Sequence, residues 1–335
     1  MTSEKASEYG RLEPMLAPLE ALVRCESPTE DLQACREVVR LASDIATRVL
    51  GVPAQIKEIE GRPVFWWGAE EPEVLILAHL DTVWPHGSYE PLWEIKGDVL
   101  RGPGTFDMKA GFIQALYALK GIEGSVALVA TTDEETGSHA SKALIKDLSS
   151  KAKAVLVLEA SLDGKVKTGR KGTAMYQIKV LGLAAHAGLE PEKGVNTTTE
   201  IAHAILALSS LENAEHGTTV VPTLLHSGNT TNTVPDVAVL DIDARSFSQA
   251  ELERVDTAIK KFTAVNPKAR LEITGGLNRP PLQPSSTKAL YERAEKVAAA
   301  IGMKSLGCAE VGGASDGNFA AAAGAQVLDG LGAVG

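Results

Sequence analysis

The chain has 335 residues, of which 44% are hydrophobic, so it is long and apolar enough to form two domains with cores of their own. A formal net charge of -10 without a Lys/Arg cluster argues against a nucleic-acid partner. The N-terminus is polar, and no apolar run approaches membrane-spanning length, so we expect a cytoplasmic protein without a signal peptide or membrane anchor.

The first half of the chain alternates between helical and strand-like patterns. Helices are predicted at 12–24, 31–50 and 108–119, and strands at 74–78, 125–132 and 154–158. This alternation is typical of an α/β fold with a mostly parallel sheet flanked by helices.

The pattern changes after Arg170. Strands at 174–181 and 237–244 accompany helices at 197–211 and 249–265, which indicates an inserted, smaller α+β domain over 172–276. A helix at 287–301 and a short helix from Asp316 then resume the α/β pattern. We therefore predict a discontinuous first domain, formed by residues 1–171 and 277–335.

Acidic residues and one histidine stand where the predicted strands end or a helix begins. In an open α/β sheet such positions converge in the crevice beyond the carboxyl ends of the strands. One imidazole with several carboxylates suits zinc, and a carboxylate shared by two ions would make a two-metal hydrolytic site. The residues are His79, Asp81, Asp107, Glu134, Glu135 and Glu159.

The ordered motifs resemble the di-zinc exopeptidases and amidohydrolases, a family that includes aminoacylase, glutamate carboxypeptidase and succinyl-diaminopimelate desuccinylase. The likeness is strongest to glutamate carboxypeptidase. The motifs are HLDTV at 79–83, GPGTFDMK at 102–109, TDEETGS at 132–138, Glu159, HAG at 186–188 and GGASD at 312–316.

The resemblance implies two zinc ions per subunit, with Co²⁺ or Mn²⁺ as alternatives. His79 and Glu159 would bind one ion, Glu135 would bind the second, and Asp107 would bridge both. It also implies that the inserted domain is a ferredoxin-like lid and dimerisation domain, and that the protein is a homodimer.

Three further residues would carry the chemistry. The resemblance implies that Asp81 orients His79, that Glu134 is the general base, and that His186 stabilises the oxyanion. Without the family, each has a simpler interpretation. Asp81 would form a turn after the strand, Glu134 would stand at a solvated helix N-terminus, and His186 would be structural.

The resemblance also implies that Asn232 and Arg245 bind the substrate's carboxylate, a task that suits the planar guanidinium of arginine. The alternatives are a turn for Asn232, and for Arg245 a surface ion pair with Asp241 or Asp243.

The C-terminal glycines allow other interpretations. GLGAVG at 330–335 fits a dinucleotide-binding pattern, but no helix follows it here, so we favour a tight loop lining the active site. Relatives place a histidine ligand for the second zinc after this segment, whereas this chain stops at Gly335. If Gly335 is the true end, we expect the second site to bind its metal weakly or not at all. We favour a fragment, whose missing tail would restore the usual site.

The expected function is hydrolysis of an amide or peptide bond next to a free carboxylate, in a small peptide or an N-acyl amino acid. A water bridging the two zinc ions would attack, with Glu134 as base. The alternative is a catalytically degenerate binding or scaffold protein of the same fold. The sequence leaves open carboxypeptidase, aminoacylase or desuccinylase activity.

Overall fold

The computed structural model describes residues 12–335, which form two compact units. The first contains residues 12–170 with Leu282–Val311 and Ser315–Gly335, and the second contains Lys171–Pro281 with Gly312–Ala314. Residues 1–11, where we predict no signal peptide, lie outside the described part. The domain boundaries at 171/172 and 276/277 stay predictions.

Helices and strands alternate along the first unit, and the second unit adds its own strands and helices. The helices are α1 Glu13–Arg24, α2 Leu32–Leu50, α3 Ala110–Leu119, α4 Lys142–Lys151, α5 Thr197–Ser209, α6 Gln249–Lys260, α7 Lys288–Ala300 and α8 Asp316–Ala322. The strands are β1 Gln55–Ile59, β2 Arg62–Gly68, β3 Val74–His79, β4 Glu94–Lys96, β5 Val99–Arg101, β6 Val126–Thr131, β7 Ala154–Val157, β8 Val166–Arg170, β9 Gly172–Leu181, β10 Thr219–Ser227, β11 Val237–Ser246, β12 Arg270–Arg279, β13 Cys308–Val311 and β14 Val327–Leu328.

The main sheet of the first unit has the strand order β1-β2-β6-β3-β7-β14. The pairs of β3 with β6, β3 with β7 and β7 with β14 are parallel, while β1 and β2 form an antiparallel extension next to β6. The predicted mostly parallel sheet is thus confirmed.

Alternate residues of the central strands face two different hydrophobic cores. On β3, Ile76 packs with α1, α2 and α3, while Leu75 and Leu77 pack with α4 and α8. On β6, Leu128 and Val129 divide between the two cores in the same way. Because successive side chains of a strand point to opposite faces, the sheet lies between two helical layers.

The starts of α2 and α3 have different structural causes. The Asp31 carboxylate accepts hydrogen bonds from the N–H groups of Gln33 (2.9 Å) and Ala34 (3.0 Å), so α2 starts after a side-chain cap. The prediction that α3 starts at Met108 is wrong. Asp107 and Met108 have non-helical backbone angles inside a turn at Thr105–Lys109, and regular helix begins at Ala110.

The second unit is an antiparallel sheet with the order β10-β11-β9-β12, and helices α5 and α6 pack on it. Every second residue of β9, from Ala174 to Val180, lies in the core. The order β-α-β-β-α-β along the chain confirms the predicted α+β unit. The predicted helix at 249–265 is too long, since α6 ends at Lys260. Strand β12 runs to Arg279, past the predicted boundary at 276/277.

Across residues 12–335, no helix has both the length and the apolar character required to cross a membrane.

Replacing Leu208 by alanine tests the core of the second unit. Leu208 is 2% exposed and Leu206, on the same helix, is 73% exposed. We expect Leu208→Ala to lower the free energy of unfolding by about 2–5 kcal/mol, because it removes buried methyl groups and leaves a cavity. Leu206→Ala should change it by less than about 0.5 kcal/mol. Denaturant titration of both variants measures the difference, and equal losses would contradict this core.

Candidate metal centre

The carboxyl ends of three adjacent parallel strands bring the predicted ligands together. His79 is the last residue of β3 and pairs with Thr131, the last residue of β6. Glu134 and Glu135 form the 3₁₀ turn that follows β6. Glu159 follows β7, whose Val157 pairs with Leu77 of β3. The register of the sheet therefore places these side chains at one edge.

Asp107 reaches the same cluster from the turn before α3. Gly104 precedes that turn with a φ of +67°, and a Cβ there would lie 2.5 Å from Cγ2 of Thr82. Glycine is required for this close approach. The peptide bond between Asp107 and Met108 is cis.

The potential ligand atoms lie close to one another. Nε2 of His79 is 3.1 Å from Oδ1 of Asp107 and 3.7 Å from Oε1 of Glu159. Two groups have ligand atoms within 4.8 Å of one another: His79 with Asp107 and Glu135, and His79 with Glu134 and Glu159. Glu134, predicted as a base, thus lies among the predicted ligands.

Contacts to Nδ1, the ring nitrogen that faces Asp81, orient the imidazole of His79. Nδ1 lies 3.0 Å from the backbone carbonyl oxygen of Asp81 and 3.4 Å from that residue's carboxylate oxygen Oδ1. The other oxygen, Oδ2, accepts hydrogen bonds from the Thr29 hydroxyl (2.8 Å) and the Glu135 N–H (3.2 Å). An N–H at Nδ1 leaves the lone pair of Nε2 for a metal. Both the carbonyl and the carboxylate of Asp81 can fix this tautomer.

The cluster contains more negative charge than its own residues balance. Burial raises the pKa of Glu135 to about 7, with neighbouring carboxylates adding to the effect. Burial also raises the pKa of Glu159, although Arg170 opposes the shift. For His79, burial lowers the pKa, but the hydrogen bond to Asp107 and the charges around it raise it well above the usual value. The carboxylates hold a proton on His79, and a divalent cation bound by the same N and O donors could replace it.

A buried arginine supports Glu159. Arg170 donates from Nε to Oδ2 of Asp329 (2.8 Å), and from Nη2 to Oδ1 of Asp329 (2.7 Å) and Oε2 of Glu159 (3.2 Å). The Ser315 hydroxyl donates to Asp329 at 2.6 Å. No such role for Arg170 or Asp329 was predicted from the sequence. No local pattern could have found this pair, because 159 residues separate Arg170 from Asp329 along the chain.

The turn with Glu134 and Glu135 is held from both sides. Asp133 accepts hydrogen bonds from the N–H groups of Ala140 (2.8 Å) and Ser141 (3.1 Å). The Ser138 hydroxyl donates to Asp316, which is 4% exposed. Asp316 was noted only as part of a motif, yet it fixes the turn that carries both glutamates.

The C-terminal glycines pack on the backbone of a predicted ligand. The N–H of Gly332 donates to the carbonyl of Glu159 at 2.8 Å. A Cβ at Gly332 would lie 2.2 Å from the carbonyl oxygen of Leu158. Close packing therefore explains why residue 332 is glycine, and a dinucleotide-binding role is not needed to explain it.

The predicted oxyanion and substrate residues all lie in the second unit. Nδ1 of His186 accepts the N–H groups of Gly188 and Leu189, both at 3.1 Å. The N–H of Ala187 donates to the backbone carbonyl of Asn232 at 2.9 Å, so His186 and Asn232 lie on neighbouring segments.

Arg245 makes an ion pair with Asp243, through Nε at 2.8 Å and Nη2 at 3.0 Å, and also donates to the carbonyl of Gly312 at 3.3 Å. An ion pair with Asp243 is one of the alternatives predicted for Arg245 from the sequence. The functional roles of all these residues stay predictions.

Known proteins resemble this chain in fold and in sequence. Residues 168–269 match the peptidase dimerisation domain. Carboxypeptidase G2 of Pseudomonas sp. (strain RS-16) is 30% identical over 276 residues, which cover 77% of this chain and 66% of that protein. Succinyl-diaminopimelate desuccinylase of Marinobacter nauticus is 25% identical over 95% of this chain and 90% of its own length.

Among solved structures, the M20 family metallo-carboxypeptidase Sso-CP2 from Sulfolobus solfataricus has a TM-score of 0.73 at 18% identity, covering 95% of this chain and 91% of that one. Fold and sequence together define a metallopeptidase or amidohydrolase, a hydrolase of the class expected from the motifs. The chain belongs to the M20 peptidase family.

Replacing Arg170 tests the support of Glu159. Arg170→Met leaves the carboxylates of Asp329 and Glu159 buried without their cation, so we expect it to lower the free energy of unfolding by about 3–5 kcal/mol. The control is Arg254→Met, because Arg254 pairs with Glu251 at 2.8 Å but is 41% exposed. That change should cost less than about 1 kcal/mol. If denaturant titration finds both losses small, Arg170 does not have this supporting role.

Metal binding should weaken as the pH falls. Below the pKa of about 7, Glu135 carries a proton that a metal must displace, and His79 also holds one. Each displaced proton lowers the apparent affinity about tenfold per pH unit. We expect at least about a tenfold loss between pH 7 and pH 6, measured by competition with a chelator at constant ionic strength. An affinity independent of pH across this range would contradict these protonation states.

Proposed function

We propose that this chain is a zinc-dependent hydrolase that cleaves an amide or peptide bond next to a free carboxylate. The observation that carries the proposal is a cluster in which His79, Glu135 and Glu159 follow parallel strands and Asp107 joins them from the turn before α3. Glu134 lies beside it. The relatives named as a carboxypeptidase and a desuccinylase support this choice of reaction.

Two zinc ions are the proposed cofactors, with Co²⁺ or Mn²⁺ as alternatives. His79 and Glu159 would hold one ion, Glu135 the other, and Asp107 both. Bound there, the ions would supply Lewis acidity and lower the pKa of a bridging water, the nucleophile of the proposed reaction, toward about 7. The mixture of one imidazole with carboxylates fits these metals.

Glu134 is the proposed general base and acid. The residue is 7% exposed and lies in the turn that the contact between Ser138 and Asp316 holds. A base fixed in this way can take a proton from the attacking water and deliver it to the leaving amine nitrogen. The adjacent residue, Glu135, is proposed to bind metal instead.

His186 is the proposed donor to the oxyanion. Its Nδ1 accepts two backbone N–H groups, so the neutral ring carries its proton on Nε2. An Nε2–H held in one direction can donate to the negative oxygen of a tetrahedral intermediate. This tautomer supports the proposed role and does not depend on the family resemblance.

Asn232 and Arg245 are proposed to bind the free carboxylate of the substrate. Arg245 already pairs with Asp243, so a substrate carboxylate would share or replace that contact. The match to the peptidase dimerisation domain supports a homodimer. A small peptide or an N-acyl amino acid is the proposed substrate, and a cytoplasmic location stays a prediction.

Replacing Glu134 by glutamine tests the reaction. The wild type, loaded with Zn²⁺, Co²⁺ or Mn²⁺, is first assayed against a panel of N-acyl amino acids and dipeptides. Glu134→Gln keeps the shape of the side chain but removes the base, so we expect kcat to fall by about 100-fold or more. Metal content, measured by elemental analysis, should stay the same.

Two variants serve as controls for this experiment. Glu135→Gln should lose metal as well as activity, because it alters a ligand. Glu123→Gln lies at an exposed position and should change neither. Near-normal rates for Glu134→Gln would show that Glu134 is not the general base. A metal-loaded wild type that cleaves nothing in the panel would favour a degenerate binding protein.

A further inference from the structure

An open cleft lies beside the candidate metal centre, within the first unit. Its volume is about 830 Å³, and Glu135 forms part of its wall. The apolar side chains Pro28, Leu32, Val83 and Pro85 line it. Leu32 is 39% exposed and Val83 61% exposed, so this apolar surface is open to a ligand. The volume lies within the range of sites that bind small molecules.

The walls of the cleft are held by backbone hydrogen bonds. The N–H of Thr82 donates to the carbonyl of Ser27 at 2.9 Å, and the N–H of Thr29 donates to the carbonyl of Thr82 at 3.2 Å. Asp31 caps the first turn of α2 on the same side. The cleft is therefore preformed, as substrate sites usually are.

The charges that line the cleft are acidic. Among the described residues in its wall, none is lysine or arginine, whereas Glu30, Asp31 and Glu135 are present. His86 lies at the rim, with Nε2 3.1 Å from Asp31 and Nδ1 3.8 Å from Glu26. A substrate carboxylate placed beside Glu30 and Asp31 would meet like charge and no lysine or arginine in the cleft wall.

We infer that this cleft holds the acyl side of the substrate, and that it selects uncharged, largely apolar acyl groups over acyl groups that carry a carboxylate. The inference rests on the proposed function, which gives the substrate a free carboxylate on the amine side of the scissile bond. That carboxylate needs a cationic partner, so the acidic cleft suits the other side. An apolar acyl group would cover Leu32 and Val83 and remove their surface from water.

A pair of isosteric substrates tests the inference. The 4-methylpentanoyl and succinyl derivatives of L-alanine keep the same free carboxylate, and their acyl groups differ by an isopropyl group against a carboxylate. We expect the wild type to prefer the 4-methylpentanoyl substrate by about tenfold or more in kcat/KM. Val83→Lys adds a cation to the cleft and should reduce that preference by about fivefold.

The matched control is Val52→Lys, the same change at a side chain that is 54% exposed and does not line the cleft. It should leave the preference unchanged. A wild type that prefers the succinyl substrate would overturn the inference. So would a Val83→Lys protein whose preference equals that of Val52→Lys.

Binding separates this inference from the proposed function. The dissociation constants of both compounds are measured by calorimetry with metal-loaded Glu134→Gln, which needs no turnover. Tighter binding of the 4-methylpentanoyl compound, with the preference reduced in Glu134→Gln/Val83→Lys, supports the cleft even if the wild type hydrolyses neither compound. Equal binding, or no binding of either, overturns the inference, while hydrolysis by the wild type would still support the proposed function.

Discussion

Several carboxylates buried within a few ångströms of one another form the constraint on which the rest of this structure depends. Loss of hydration on burial, followed by repulsion between the carboxylates, opposes their ionisation, so the pKa of Glu135 is raised to about 7 and that of Glu159 is also raised. Such an arrangement persists only where cations offset it. Arg170 does so from within the protein, and a divalent metal would do so at the open side of the cluster.

The fold brings several of the ligands together through the register of its strands. Parallel strands in register end at the same level, so the residues that follow β3, β6 and β7 lie side by side without unusual backbone angles at His79 or Glu159. The tight geometry falls on glycines instead. Gly104 permits close packing against the Thr82 side chain near Asp107, and Gly332 permits close approach to the backbone of Leu158 and Glu159. The supporting hydrogen bonds then come from residues distant in sequence, such as Asp316 and Asp329.

Charge also gives the surroundings of the centre a consistent chemistry. The cleft next to Glu135 is lined by acids and apolar side chains and belongs to the first unit. Such a lining suits an uncharged, apolar group. The metal ligands by themselves would serve any amide, so selectivity depends on these neighbouring surfaces.

Local sequence patterns predicted much of the first unit and its candidate metal ligands. Apolar runs followed by His79, Glu134 and Glu159 predicted both the strands and the edge at which they end. Patterns failed at several elements, including weakly buried strands and one irregular turn. Strands β10 and β12 were missed because their side chains are mostly exposed and do not alternate cleanly. The start of α3 was placed too early because residue type does not reveal the non-helical angles at Asp107 and Met108.

By itself, the sequence determined the class of fold, the family and the chemical identity of the predicted ligands, because these depend on residue types at fixed spacings. Tertiary structure alone decided which of those groups touch. It showed Arg170 joining Asp329 to Glu159 across 159 and 11 residues of chain, and Asp316 holding the turn of Glu134. It also formed an acidic, apolar cleft from three separate segments. Such contacts arise from the packing of distant segments, and no local pattern encodes the distance between their side chains.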